Sequence, residues 1–234
     1  IVLGAATSSD PVYSGVNPAD VAVSNTDNDA AGITVTPVAG LATSEAGGSA
    51  TFTLVLTSQP TANVTIPVSS ADVTEGSVSP ASVTFTTANW NVAQTVTVTG
   101  VNDAVVDGTV AYTVLTAAAT STDGRYSGVD AADVAVSNSD DDAAGVTVTP
   151  VAGLATSEAG GSASFTIVLQ SQPVADVVFA LTSTDPTEGT VSPSSLTFTA
   201  GNWNTPQVVT ITGVNDLVTD GNVAYNVIRK SDLQ

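Results

Sequence analysis

The 234-residue chain has no cysteine, no methionine and no histidine, and only three basic residues, Arg125, Arg229 and Lys230. The missing cysteines exclude disulfide cross-links, thiol redox chemistry and zinc–thiolate sites. With no histidine and a single lysine, the many serines and threonines have no base to activate them. Paired carboxylates that cleave glycosides would need a sugar-binding cleft, yet aromatic residues make up only 5% of the chain. The protein is therefore not expected to be an enzyme. Scarce positive charge against 22 acidic residues, a net charge of -19, disfavours nucleic acid and anionic membrane as partners and favours cations. No apolar run approaches the length of a membrane span. Nothing at the N-terminus resembles a signal peptide, and the lack of methionine is expected of a piece of a longer precursor.

What the chain does contain is a repeat with a period of 113 residues. Residues 32–113 and 145–226 align without a gap and match at 56 of 82 positions, and residues 1–31 match 114–144 at 20 of 31. Such a period is one small domain in a tandem array. The register divides the chain into three parts. Residues 1–31 are expected to be the last strand of a preceding repeat, an orphan or donor strand. Residues 32–144 form one complete unit, and residues 145–234 a second unit lacking its last strand.

Hydrophobic residues make up 42% of the chain, with Val, Ala and Thr dominant, a β-rich globular composition rather than that of an acidic disordered tail. Residues of alternating character recur at 33–38, 50–58, 63–70, 82–87, 94–101, 110–117 and 133–138, separated by Gly, Pro, Asn and Asp clusters. No segment carries a helical apolar stripe. Seven short strands per unit predict an all-β chain of tandem, immunoglobulin-like antiparallel β-sandwiches. Trp90 and Trp203, one per unit, are expected to plug the sandwich edge.

Strand alternation also sorts the acids. Glu45, Asp72, Glu75, Asp103, Asp107 and the run Asp140, Asp141 and Asp142 fall at one pole of the complete unit; Asp123, Asp130 and Asp133 surround a long loop at the other. Two like charges about 5 Å apart repel by roughly 3 kcal/mol at an effective dielectric near 20. Several of them converging would exceed a domain's stability margin of about 5–15 kcal/mol. They must spread into water, take up protons or share a cation. Oxygen-only ligands select Ca²⁺ or Mg²⁺. Taken singly, each Asp reads equally as a turn former, and the YSGVDAADV segment at the second pole as a folded loop.

Three motifs, SEAGGSATFTLVL (44–56), VNDAVVDG (101–108) and NSDDD (138–142), resemble those of the Calx-β domain family of sodium–calcium exchangers and large bacterial surface proteins. The resemblance covers the chain at one domain per repeat. It implies Ca²⁺ as the bound ion, with Glu45, Asp72, Asp103, Asp107, Asp140, Asp141 and Asp142 as ligands. Glu158, Asp185, Asp216 and Asp220 are their counterparts in the second unit. The chain departs from the family pattern at Asn102, where a second acid is common, and at Asp27-Asn28-Asp29, which lacks the middle charge.

Together these readings predict a calcium-binding structural segment, a rigid stalk or filament of a secreted or cell-surface bacterial protein. Its expected partners are neighbouring repeats, with head-to-tail self-association through residues 1–31. There, Asp27 and Asp29 of one molecule would complete the acidic set of another. The alternative is an adhesin module that binds glycan or another surface ligand directly.

Overall fold

The computed structural model describes residues 1–229; the last five residues of the expected second unit, 230–234, lie outside the described residues. Every regular element among the described residues is a strand. Residues 32–144 carry ten: β1 (Ile33–Thr36), β2 (Leu41–Ser44), β3 (Ser49–Leu56), β4 (Val64–Ser70), β5 (Gly76–Ser79), β6 (Ser82–Phe85), β7 (Gln94–Gly100), β8 (Val110–Thr116), β9 (Thr120–Ser121) and β10 (Val134–Ser139). They form two sheets, in the orders β1-β3-β7-β5 and β2-β10-β8-β4-β6, with β9 also paired to β4. This is an immunoglobulin-like sandwich.

Period-two alternation builds the core. Each long strand turns one face inward, as in β3, where Phe52, Leu54 and Leu56 are buried between exposed or half-buried neighbours. Val96 and Val98 of the neighbouring β7 extend this face, and Val64, Ile66 and Val68 of β4, Val114 of β8 and Val134 and Val136 of β10 meet it across the sandwich. Trp90 is half-buried against this core, as an edge plug should be.

Three strands were not legible as alternating runs: β2, β5 and β9. One pairing also departs from the expected antiparallel pattern. The strand β10 pairs antiparallel with β8, but parallel with β2, in the register Val136 opposite Leu41 through Ser139 opposite Ser44.

The second repeat forms β11 (Val146–Thr149), β12 (Ser162–Leu169), β13 (Val177–Ser183), β14 (Gly189–Ser192), β15 (Ser195–Phe198), β16 (Gln207–Gly213) and β17 (Val227–Arg229). Its sheets are β11-β12-β16-β14 and β15-β13-β17. The octapeptide LATSEAGG occurs at both 41–48 and 154–161. In the first unit its first four residues are β2; in the second they form no strand. The sequence is the same, so the difference lies in the partner: β2 is held by β10, and no described strand stands in that place in the second unit. Residues 223–226, counterparts of four of the five β8 residues that pair with β10, likewise stay outside the sheet.

Residues 1–31, expected to be an orphan or donor strand, pair with no strand here. A strand needs a partner edge, and the hydrogen bonds of residues 1–29 run only among themselves, as from the Ala6 amide to the Val16 carbonyl.

Candidate metal centre

In the complete unit two carboxylate triads stand at one pole. Glu45, Asp140 and Asp142 form one and Glu75, Asp103 and Asp107 the other; within each triad one oxygen per residue lies within 4.8 Å of the others. The placement follows from local structure. Glu45 stands just beyond β2, at a turn closed by the amides of Gly47 and Gly48 on the Ser44 carbonyl, with Gly47 at φ 83°. The Glu45 amide donates to the Ser139 carbonyl at the end of β10, at 3.0 Å. Gly100 closes the arrangement from β7, for a Cβ there would lie 2.2 Å from the Ser44 carbonyl oxygen and 2.5 Å from Oδ1 of Asn138.

Asn138 braces the Glu75 triad against β2. Its Nδ2 donates to Glu75 Oε2 at 3.3 Å and to the Val101 carbonyl at 3.2 Å, while its Oδ1 accepts from the Thr43 hydroxyl at 3.0 Å. Asp140 links the two triads: its Oδ2 accepts from the amides of Asp107 at 3.1 Å and Gly108 at 2.9 Å, and its Oδ1 from the amide of Asp142 at 2.7 Å. These amides, Gly108 first, hold the Asp140 carboxyl below the usual range.

The remaining groups are under electrostatic pressure. Glu45 is 4% exposed, and burial, reinforced by Asp103, Asp140 and Asp107, pushes its pKa from 4.5 up to about 7. Burial likewise raises Glu75, partly offset by Asn138, and Asp142, where Asp140 and Asp141 add to it. Two buried oxygens, Glu45 Oε2 and Asp142 Oδ2, have no hydrogen-bond partner at all. Both belong to one triad. Buried polar atoms are nearly always satisfied, and the carboxylates of Asp103, Asp140 and Asp107 crowd Glu45, an arrangement compatible with a bound cation. With no sulfur or imidazole in the set, the donors suit a hard, oxygen-loving ion such as Ca²⁺, which takes six to eight oxygens.

Not every acid expected from the sequence converges. Asp72 stands outside both triads. Its Oδ1 caps its own turn, accepting from the amide and hydroxyl of Thr74 at 3.1 and 2.6 Å, which lowers its pKa. Its place is taken by Glu75, buried three residues on, whose position before Gly76 at the start of β5 was the available signal. Asp141 is exposed and outside the triads. At the other pole Asp123 is buried as a loop cap, accepting from the amides of Thr61 at 2.7 Å and Arg125 at 3.0 Å; Asp133 accepts from the Thr116 amide at 2.8 Å, and Asp130 is exposed.

The second unit gathers a single triad among the described residues, Glu188, Asp216 and Asp220, in which burial and then Asp220 and Asp216 raise Glu188. Asp185 repeats the capping role of Asp72, toward Thr187. Glu158, the counterpart of Glu45, is exposed and belongs to no triad. Asp27 and Asp29 are exposed too, yet the Asp29 amide donates to Asp27 Oδ1 at 3.0 Å, the same local turn as Asp140 and Asp142.

No family model and no curated protein matches the chain. Among solved structures it is similar to the calcium binding domain CBD12 of CALX1.1, at 13% identity over 83% of this chain and 78% of that one, with a TM-score of 0.35. It is also similar to the periplasmic chaperone SfaE, at 10% identity over 85% and 98% of the two chains, TM-score 0.36. A third is WR4, an MSP family member of C. elegans, at 13% identity over 46% and 96%, TM-score 0.31. Likeness of this degree concerns strand arrangement and says nothing of function.

The raised Glu45 fixes a sign for the metal-free protein. An acid whose folded pKa lies above its unfolded value binds its proton more tightly when folded, so its contribution to stability is present below pH 4.5 and lost as pH rises to about 7. Melting temperature in chelator should therefore fall across that window. A metal-free protein whose stability rises from pH 5 to pH 7 would contradict the burial of Glu45.

Proposed function

We propose that the chain is a calcium-binding structural segment of tandem sandwich units, part of a stalk or filament of a secreted or cell-surface bacterial protein. The observation that carries the metal reading is the pair of buried, unpartnered carboxylate oxygens of Glu45 and Asp142 inside one triad, beside a second triad. Glu45, Asp140 and Asp142 would hold one ion and Glu75, Asp103 and Asp107 another. Bound calcium supplies the positive charge that six converging carboxylates lack. The chain's own residues do the positioning: Asn138 holds Glu75, and the Gly108 and Asp107 amides aim Asp140.

The structural reading draws on the junction between repeats. The Gln172 amide, in the loop after β12, donates to the Ala104 carbonyl at 2.6 Å, and Val105 pairs with Gln172. Ala104 and Val105 lie between Asp103 and Asp107, so the turn that would hold an ion also touches the next unit. Ion binding would thus firm up both the pole and the contact beyond it. Neighbouring units that match at 56 of 82 aligned positions suit a spacer, whereas a direct adhesin would need ligand-specific residues on an exposed face. No helix of the described residues is long and apolar enough to cross a membrane. On this reading the chain has no catalytic role.

Thermal unfolding in EGTA, in about 1 mM calcium and in magnesium tests the metal reading. A site with a dissociation constant near 10 μM adds about 2.7 kcal/mol at that hundredfold excess. A calcium-specific rise in melting temperature is expected; identical curves in calcium and EGTA would reduce the triads to solvated turns.

A further inference from the structure

A line of buried polar side chains runs from β8 to the acidic pole of the first unit. Tyr112 of β8, Thr43 of β2, Asn138 of β10 and Glu75 at the start of β5 are 7%, 5%, 1% and 4% exposed. Their protons can be assigned from the contacts. Asn138 Nδ2 faces Glu75 Oε2 at 3.3 Å and the Val101 carbonyl at 3.2 Å, both acceptors, so the amide must turn its NH₂ that way. Its Oδ1 is left facing the Thr43 hydroxyl at 3.0 Å, the shortest contact that hydroxyl makes, and Thr43 has to donate. Thr43 has a single proton to give. The Tyr112 hydroxyl, 3.4 Å from Thr43 Oγ1, is therefore the donor of that pair. Every bond points the same way, from Tyr112 through Thr43 and Asn138 to Glu75.

The first link of this line recurs in the second unit, where the hydroxyls of Thr156 and Tyr225 are 2.6 Å apart. In both units the tyrosine hydroxyl fills the space that a side chain would need on the glycine after a triad acid: Gly76 after Glu75, and Gly189 after Glu188. The strands that the line crosses also carry the other triad. Thr43 stands two residues before Glu45, and Asn138 two before Asp140. Glu45 and Asp142 hold the two buried oxygens that have no partner. One run of bonds thus fixes the roots of both triads.

We infer that Tyr112, Thr43 and Asn138 are positioning residues of the calcium pole, a directed relay that holds Glu75 and the ends of β2 and β10 in the geometry an ion needs. The inference rests on the calcium reading above. The three residues act through one another rather than on the ion, and none of them is an acid. Partners that stand behind ligating carboxylates in this way typically set metal affinity by about 10–100-fold. Thr43 is the critical member. Without its hydroxyl, Asn138 Oδ1 loses its donor and the amide is free to flip. A carbonyl oxygen would then face Glu75 Oε2, acceptor against acceptor, and Glu75 would turn away.

Calorimetric titration with calcium, well below the melting temperature in EGTA, tests the relay. The full chain carrying Asp216→Asn and Asp220→Asn, which silence the triad of the second unit, reads the first unit alone. In that chain Thr43→Val, which keeps the shape and removes the hydroxyl, should weaken calcium binding at least about tenfold. Thr43→Ser should restore it, and Tyr112→Phe should give a smaller loss in the same direction. A merely structural role would lower the melting temperature in EGTA and leave the calcium affinity of the folded protein where it was; that outcome overturns the proposal. Should Thr43→Val not fold, Tyr112→Phe decides, and unchanged affinity in it overturns the proposal equally. A starting chain that takes up no calcium sinks the metal reading and the relay with it, whereas normal uptake that neither variant alters sinks the relay alone.

Discussion

Glu45→Gln raises the melting temperature of the metal-free protein at pH 8 and removes most of the gain from calcium. The two effects have one origin. In the absence of a cation, Glu45 is a buried carboxylate facing Asp103, Asp140 and Asp107, with one oxygen unpartnered and a pKa pushed up to about 7. At pH 8 it is ionised at its own expense. The amide keeps the shape, loses the charge and can donate to a neighbouring carboxylate. A rise of about 5 °C is expected, the shift that about 1 kcal/mol makes in a unit of this size. With calcium present the same change deletes a charged ligand, and the stabilisation of about 2.7 kcal/mol expected of a saturated site should shrink by more than half. Glu158→Gln is the internal control. That residue has the same sequence neighbours but is exposed, so its substitution should leave metal-free melting unchanged. Melting curves of the Glu45→Gln protein that fall below wild type in chelator would mean that Glu45 serves the fold rather than an ion.

Val134→Asp is the second large effect, and its value lies in comparison with Val21→Asp. Both substitutions alter a DVAVSN hexapeptide at the same position. Val134 is fully buried between the two sheets, where an unpaired carboxylate costs several kcal/mol even after relaxation. That is a large share of the margin of about 5–15 kcal/mol of a single domain. The expected outcome is release of β10, and with it loss of the parallel pairing of β2 and of the Glu45 triad. Calorimetry should then show the first unit melting at or below the second, and calcium should no longer raise its transition. Val21→Asp, in monomeric protein, should move neither transition. If Val134→Asp melts like wild type, β10 is not integral to the sandwich.

The long strands were legible because alternation survives wherever one face is buried and the other is not: SATFTLVL of β3 and QTVTVTG of β7 state their inward residues outright. The strands β2 and β5 were not, because LATS and GSVS are four residues long and hold too few apolar side chains to show a period. What makes them strands is a neighbour, and the contrasting fates of 41–44 and 154–157 demonstrate this within one molecule. The acidic pole was legible as a pole. Its membership was not, since whether an acid turns into the cluster or caps its own loop depends on a side-chain choice that three residues of spacing do not reveal. Asp72 finds the Thr74 amide and hydroxyl at hand and folds back on them; Glu75 is longer, sits at the mouth of β5 and has Asn138 to reach for. The repeat, by contrast, was fully legible, and it made each unit a control for the other.

The parallel pairing of β2 with β10 also determines how a unit answers to being pulled. Tension applied along the chain draws β10 toward the C-terminal side and β2, through β1 and the turn at residues 37–40, toward the N-terminal side. Parallel neighbours drawn in opposite senses along a shared axis slide rather than peel, so the four register pairs from Leu41–Val136 to Ser44–Ser139 take the load together. A sandwich closed in this way is latched against extension.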